Sequence, residues 1–171
     1  MIISVFNFKG GTGKTFLASN IAIQRNMHLI QSDKYGGSDD IFNGLKKEEG
    51  VFSYLLKKNE SPLVKNTVYD LGRRYERKYE SILKHSSIIV IPTLTSILDI
   101  KSTVVCIFKM KNLTPNTKLV VVVNRATSKE FEDTKNEINT ILNELDFENT
   151  EDIYAGSRVQ IGKGRIRGDG S

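Results

Sequence analysis

Phe8-Lys9-Gly10-Gly11-Thr12-Gly13-Lys14-Thr15 is the stretch from which the rest of the chain is read. An apolar run, Ile2 to Phe6, leads into it, and a helical pattern (Phe16, Leu17, Ala18, Ile21, Ala22) leads out. Strand, glycine-rich loop and helix in that order are the context a phosphate-binding loop requires. A turn with a chance lysine would not come with both flanks. The glycines let backbone N–H groups close around phosphate oxygens, and the N-terminus of the following helix adds a favourable dipole. In such a loop Lys14 reaches the β- and γ-phosphates and the Thr15 hydroxyl ligates Mg²⁺. The stretch is therefore read as a nucleotide site, with Gly10, Gly11, Thr12, Gly13, Lys14, Thr15 and Phe16 around the phosphates.

Working outward, 171 residues leave room for one domain with one substantial core. The hydrophobic fraction of 39% and charged fraction of 26% are compatible with a globular domain. The net charge of +5 permits weak, salt-sensitive attraction to nucleic acid or anionic lipid. Cys106 is the single cysteine, which excludes a disulfide scaffold and a Cys-rich metal site. With no signal-peptide pattern before the loop and no uninterrupted apolar run of membrane-spanning length, the chain is read as cytoplasmic.

Met27 to Ser32 reads as a short buried strand ending at Asp33. Strand, helix, strand in so few residues implies a right-handed βαβ unit and a parallel sheet, whose ligands sit at the carboxyl ends of the strands. Lys34 to Ser38 is a loop without apolar content. Asp40 to Leu45 and Val51 to Leu56 read as two short helices separated by the Lys46-Lys47-Glu48-Glu49-Gly50 turn, and Asn59 to Pro62 breaks the pattern. Thr67 to Asp70 is a short strand followed by Leu71-Gly72. Arg73 to Glu80 is densely charged and reads as a solvated helix face, with a DNA or partner contact as the alternative. Ser86 to Thr93 is a buried strand ending at a proline, followed by an apolar helix to about Lys111 in which Cys106 is a core residue. Lys118 to Val123, the most β-branched run, reads as a central strand and ends in Asn124-Arg125. Ser128 to Asp146 is an amphipathic helix with Phe131, Ile138, Ile141, Leu142 and Leu145 on its core face. His28 and His85 lack metal-ligand spacing and read as structural or solvent-facing. The end of the chain, through Arg158 and Gly162 to Gly168, is basic and rich in glycine.

Lys9, placed before the glycine pair, gives K-G-G-x-G-K-T. That pattern resembles the deviant Walker A motif of the ParA/MinD family of P-loop ATPases, and within it a shortened ParA-type DNA partition ATPase. The resemblance extends in order through Asp33, Asp70-Leu71-Gly72, the Ile91-Pro92 strand end and Asn124. It implies an α/β, three-layer P-loop NTPase fold, with a mostly parallel sheet covered by helices on both faces, over residues 1–156. Residues 157–171 are then a basic C-terminal tail, either a DNA contact or a solvated end.

The resemblance also implies roles. Lys9 reaches across a dimer interface to the partner's ATP, and Lys14 binds phosphate in its own subunit. Asp33 orients the attacking water and stands near the metal. Thr15 and Asp70 serve Mg²⁺, and the Gly72 N–H senses the γ-phosphate. Asn124 contacts adenine, with Arg125 beside it. The region after the Ile91-Pro92 strand contributes to the subunit interface. Where many members carry D-x-D-P, this chain has Gln31-Ser32-Asp33-Lys34, so the first acid is replaced while the acid associated with hydrolysis stays.

The expected activity is Mg²⁺-dependent ATP hydrolysis to ADP and phosphate, slow until a partner stimulates it, with a homodimer formed on ATP. Expected partners are non-specific DNA and a ParB-like centromere-binding protein, with no membrane, which would place the protein on the nucleoid. A MinD-like positioning ATPase would need an apolar and basic helix at the C-terminus, which the glycine-rich tail does not offer. A nitrogenase-like reductase or metallochaperone would need paired cysteines. A ligase resembling dethiobiotin synthetase would need more chain between 34 and 66 for its substrate pocket. A nucleotide-binding regulator with little hydrolysis stays open on the strength of Gln31.

Overall fold

The computed structural model describes residues 1–33, 37–45, 50–57, 60, 62–145 and 153–156. Its strands and helices follow one another as β1 (Ile2–Val5), α1 (Lys14–Arg25), β2 (His28–Gln31), α2 (Ser38–Leu45), β3 (Ser53–Leu55), β4 (Thr67–Asp70), α3 (Tyr79–Lys84), β5 (Ile88–Thr93), α4 (Ile97–Leu113), β6 (Lys118–Val123), α5 (Ser128–Glu144) and β7 (Ile153–Gly156). The strands form one seven-stranded sheet in the order β3-β2-β4-β1-β5-β6-β7, and every pairing is parallel.

Alternation along the strands builds two cores. Ile2 and Phe6 face one side of the sheet, Ile3 and Val5 the other. In β5 Ile89 and Ile91 share a side while Val90 takes the opposite one. The first side is covered by α3, α4 and α5 through Ile82, Leu83, Val104, Ile107, Ile138 and Leu142. The second is covered by α1 and α2 through Leu17, Ala18, Ala22 and Phe42. A sheet buried on both faces needs strands that are apolar throughout, which is why β1, β5 and β6 read as continuous hydrophobic runs. The expected three layers are present.

Local chemistry ends the helices where the sequence changes. Asn26 closes α1 in the left-handed conformation at φ 49, its N–H reaching the Ala22 carbonyl, and Met27 N–H donates to the same carbonyl at 2.9 Å. A capping box opens α5: Thr127 Oγ1 accepts from Glu130 N–H at 3.3 Å while the Glu130 carboxylate accepts from Thr127 N–H at 2.8 Å. Ser4, a polar residue inside β1, is satisfied by Ser86 Oγ at 2.7 Å, and Ser86 in turn donates to the Ile82 carbonyl.

Four sequence expectations are corrected. Val51 to Leu56 is not a helix. Its centre is β3, laddered on β2 by Leu29 N–H to Phe52 O at 3.0 Å and Leu56 N–H to Gln31 O at 2.7 Å. Arg73 to Glu80 is helical only from Tyr79, because Tyr75 and Tyr79 both turn inward onto Phe6 at ring separations of 6.3 and 6.5 Å. β6 is an inner strand but lies next to the edge strand β7, and β1 holds the centre. Leu145 stands past the end of α5 and is 54% exposed, while buried Thr134 completes the core stripe. Residues 34–36, 46–49, 58, 59, 61, 146–152 and 157–171 lie outside the described residues, the Lys46 to Glu49 turn, part of the Asn59 to Pro62 break and the basic tail among them. Among the described residues no helix is long and apolar enough to cross a membrane.

Phe6 is fully buried and its ring meets Phe8, Tyr75 and Tyr79 edge to face. Phe6→Ala is expected to cost about 3–5 kcal/mol in urea unfolding, the range for a large aromatic removed from a core. A loss below about 1 kcal/mol would contradict this packing.

Candidate nucleotide-binding site

The glycine-rich loop leaves the carboxyl end of β1, at the sheet centre, between β4 on one side and β5 on the other. Strands of successive chain order lie on opposite sides of β1, so a crevice opens above its end, the usual ligand position of such sheets. Buried Asn7 fixes how the chain leaves β1. Its Nδ2 donates to Pro92 O at 2.8 Å and to Thr103 Oγ1 at 3.1 Å. Its Oδ1 accepts from Lys9 N–H at 3.1 Å and from Ser102 Oγ at 3.3 Å. One amide thus joins the loop's entry to β5 and α4.

The loop closes on itself and on β6. Lys14 Nζ donates to Lys9 O at 2.8 Å, so its ammonium group spans the loop's mouth. Asn124 Nδ2 donates to Thr12 O at 2.9 Å. Gly11 and Gly13 have φ +78 and +89, conformations that favour glycine. A Cβ on Gly13 would also collide with Asn124 Nδ2, whereas one on Gly11 would meet nothing within 4 Å. The first helical bond of α1 is Leu17 N–H to Gly13 O at 2.9 Å, so the N–H groups of the first turn stay available to an anion. Thr12 is buried with its hydroxyl unpartnered.

Around the loop stand the other predicted residues. Asp70, buried, ends β4 in register with Val5 of β1 and Gln31 of β2. Thr15 is half-buried in the first turn of α1. Burial pushes the Lys14 ammonium below its ordinary pKa. The Asp70 carboxylate opposes that shift most, the Arg73 guanidinium adds to it, and Asp33 opposes it weakly. Asp33 is exposed just past β2. Lys9 and Phe16 are half-buried, and Arg125, at φ 56, is exposed beside Asn124. Cys106 is buried with its thiol pushed up to about 12, chiefly by desolvation, in keeping with a core residue.

Two arrangements escaped the sequence reading. Gly72, expected to sense the γ-phosphate, donates its N–H to Ser32 Oγ at 2.6 Å, and Ser32 Oγ donates to Asp70 O at 3.1 Å. Ser32 therefore ties the segment after β2 to the segment after β4. Asn124, expected at adenine, also holds the loop backbone through its amide nitrogen. For Ser32 the only signal was a hydroxyl between Gln31 and Asp33. For Asn124 there was a signal of place but none of role.

The residues fit a polyphosphate with Mg²⁺. A loop whose Gly11 side is open, an unpartnered buried hydroxyl at Thr12, and the Lys14 ammonium group at the mouth are partners of the kind an anion takes. Asp70 and Thr15 carry one carboxylate and one hydroxyl, oxygen ligands of the kind Mg²⁺ takes. Among the described residues no cluster of three or more His, Cys, Asp or Glu could cage a metal alone.

Because Asn124 acts on the loop, Asn124→Ala should weaken ATP and GTP by similar factors in calorimetric titration, roughly tenfold for a buried hydrogen bond lost. Loss confined to ATP would instead place the amide on the base.

No family model matches the sequence, and no curated protein matches it. Solved structures do. A plasmid partition protein of Borrelia burgdorferi B31, bound to AMPPNP, superposes at TM-score 0.59 with 12% identity over 96% of this chain and 92% of that one. The MinD cell division protein of Aquifex aeolicus gives TM-score 0.54 with 17% identity over 83% and 78%. pNOB8 ParA bound to nonspecific DNA gives TM-score 0.54 with 11% identity over 97% and 88%. Likeness at such identities is a likeness of fold, and the chain has the P-loop fold shared by the ParA and MinD proteins.

Proposed function

We propose that the protein is a Mg²⁺-dependent ATPase of the ParA kind, which dimerises around two nucleotides and serves DNA partition. The observation that carries the reading is the loop itself: Lys14 Nζ rests on the backbone carbonyl of residue 9 at its mouth, Asp70 ends the neighbouring strand, and the residue that carries that carbonyl is a second lysine, Lys9. A single lysine suffices for a phosphate loop in one subunit. A second lysine in the same loop is accounted for by a triphosphate shared between two subunits, whose charge it helps to neutralise.

In this reading Lys14 and the N–H groups from Gly10 to Thr15 hold the phosphates. Thr15 and Asp70 would hold Mg²⁺, which when bound would supply charge neutralisation at the phosphates. Asp33 positions the attacking water from the exposed segment after β2, and Lys9 acts on the nucleotide of the other subunit. The Ser32 bond to Gly72 holds that glycine's N–H away from a γ-phosphate, which favours slow turnover until a ParB-like partner acts. The AMPPNP-bound and DNA-bound neighbours support nucleotide binding and non-specific DNA binding as the ones to test. A nucleoid-associated, cytoplasmic location follows from the DNA reading. Gln31, buried at the place of the family's first acid and in register with Asp70, favours a second reading, a nucleotide-binding regulator with little hydrolysis.

Light scattering with size exclusion and a gel shift at moderate salt test the proposal together, in ATP, ADP and no nucleotide. The expected result is a dimer and DNA retention with ATP alone, both lost in Lys9→Ala. Nucleotide-independent DNA binding would reduce the interaction to ordinary electrostatics. A monomer in every state would contradict the shared-triphosphate reading, and ATP binding without turnover would favour the regulator.

A further inference from the structure

We infer that Arg73 is a third phosphate cation, acting within its own subunit on the terminal phosphate of the bound nucleotide. The inference rests on the nucleotide reading above and assigns a residue that reading does not use. The sequence places Arg73 in a charged run with no evident link to the loop. The fold brings it there: a Cβ built on Gly10 would meet Arg73 Nη1 at 3.5 Å and Cδ at 3.6 Å, so the guanidinium lies in contact distance over the loop. Lys14 Nζ rests on the carbonyl of Lys9, the peptide leading into Gly10. The ammonium group that reaches the β- and γ-phosphates in such loops and the Arg73 guanidinium therefore lie over adjacent residues of the same loop, Lys9 and Gly10.

The surrounding charges point the same way. The nearby acid of this segment, Glu76, is engaged by Lys78 at 3.1 Å and by the Tyr79 hydroxyl at 3.0 Å. Glu80 pairs with Lys84. Arg73 itself is exposed and has no carboxylate partner among the described residues. Its charge is near enough to add to the lowering of the Lys14 pKa that burial begins. Two cations over one loop repel, and a phosphate bound by both removes the repulsion.

The backbone beneath Arg73 is also fixed. Gly72 before it is bonded to Ser32, and Tyr75 after it packs on Phe6. A planar guanidinium so placed can make two parallel bonds to phosphate oxygens, which a lysine cannot. Because Arg73 follows Gly72 directly, a change at Ser32–Gly72 would move the guanidinium with it.

The test is calorimetric titration of wild type, Arg73→Ala, Arg73→Lys and Lys14→Ala with AMPPNP–Mg²⁺ and with ADP–Mg²⁺, with a thermal melt of each. Arg73→Ala should lose roughly tenfold or more in AMPPNP affinity, as for a charge-assisted hydrogen bond. It should bind ADP nearly as wild type does and melt unchanged, since the side chain is exposed. Arg73→Lys should recover only part. Equal AMPPNP affinity in wild type and Arg73→Ala, with both nucleotides lost in Lys14→Ala, would overturn the Arg73 assignment and leave the nucleotide site standing. A wild type that binds neither nucleotide would overturn the site and the assignment together.

Discussion

Asn7 is a polar side chain where polar side chains are costly, fully buried at the end of the central strand. Burying an amide without partners costs several kcal/mol, so its four hydrogen bonds are a condition for the fold as much as a gain. Those bonds decide where the loop starts. They hold the chain leaving β1 against β5 and α4, so that Lys9 and the glycines begin from a fixed point. The Asn124 bond to Thr12 holds the middle of the loop, and the Lys14 bond to Lys9 closes its mouth. An anion site formed in this way needs little rearrangement when phosphate arrives, and pre-organisation of that kind is what makes backbone N–H donors effective.

The side of the site that faces β4 is built differently. Asp70 is locked by the sheet, yet the segments just past β2 and β4 are joined by the hydroxyl of one serine. Tyr79, buried with its phenol pushed up to about 12 mainly by desolvation, anchors the far end of that segment through Glu76 and Phe6. The segment after β4 is thus anchored by its aromatic packing, while the Gly72 N–H is held by the single hydroxyl of Ser32.

What the sequence made legible was local. The β1–loop–α1 unit could be read because its apolar run, glycines and helical pattern are contiguous. The two-sided burial of β5 and β6 could be read from unbroken Ile and Val. β3 could not, because Val51, Phe52, Leu55 and Leu56 have the spacing of a helix and only the open edge of β2 makes a strand of them. The run from Arg73 looked like a solvated helix because its charges dominate, while Tyr75 and Tyr79, the residues that bend it inward, have their partner Phe6 far away in the chain. The same distance hid Arg73 from the loop. Asn124 was found by its place, while its bond to Thr12 O stayed hidden because the two residues lie far apart in the chain. Roles that need a second subunit or a ligand, such as those of Lys9 and Asp33, stay on the side of proposal.

The most direct test of a phosphate site at the end of β1 is hydrogen–deuterium exchange with and without ATP–Mg²⁺. The account predicts new protection of the backbone amides from Gly10 to Thr15, together with altered exchange at Gly72 as its Ser32 bond is challenged. Unchanged exchange through the loop, or protection centred elsewhere on the sheet, would contradict it.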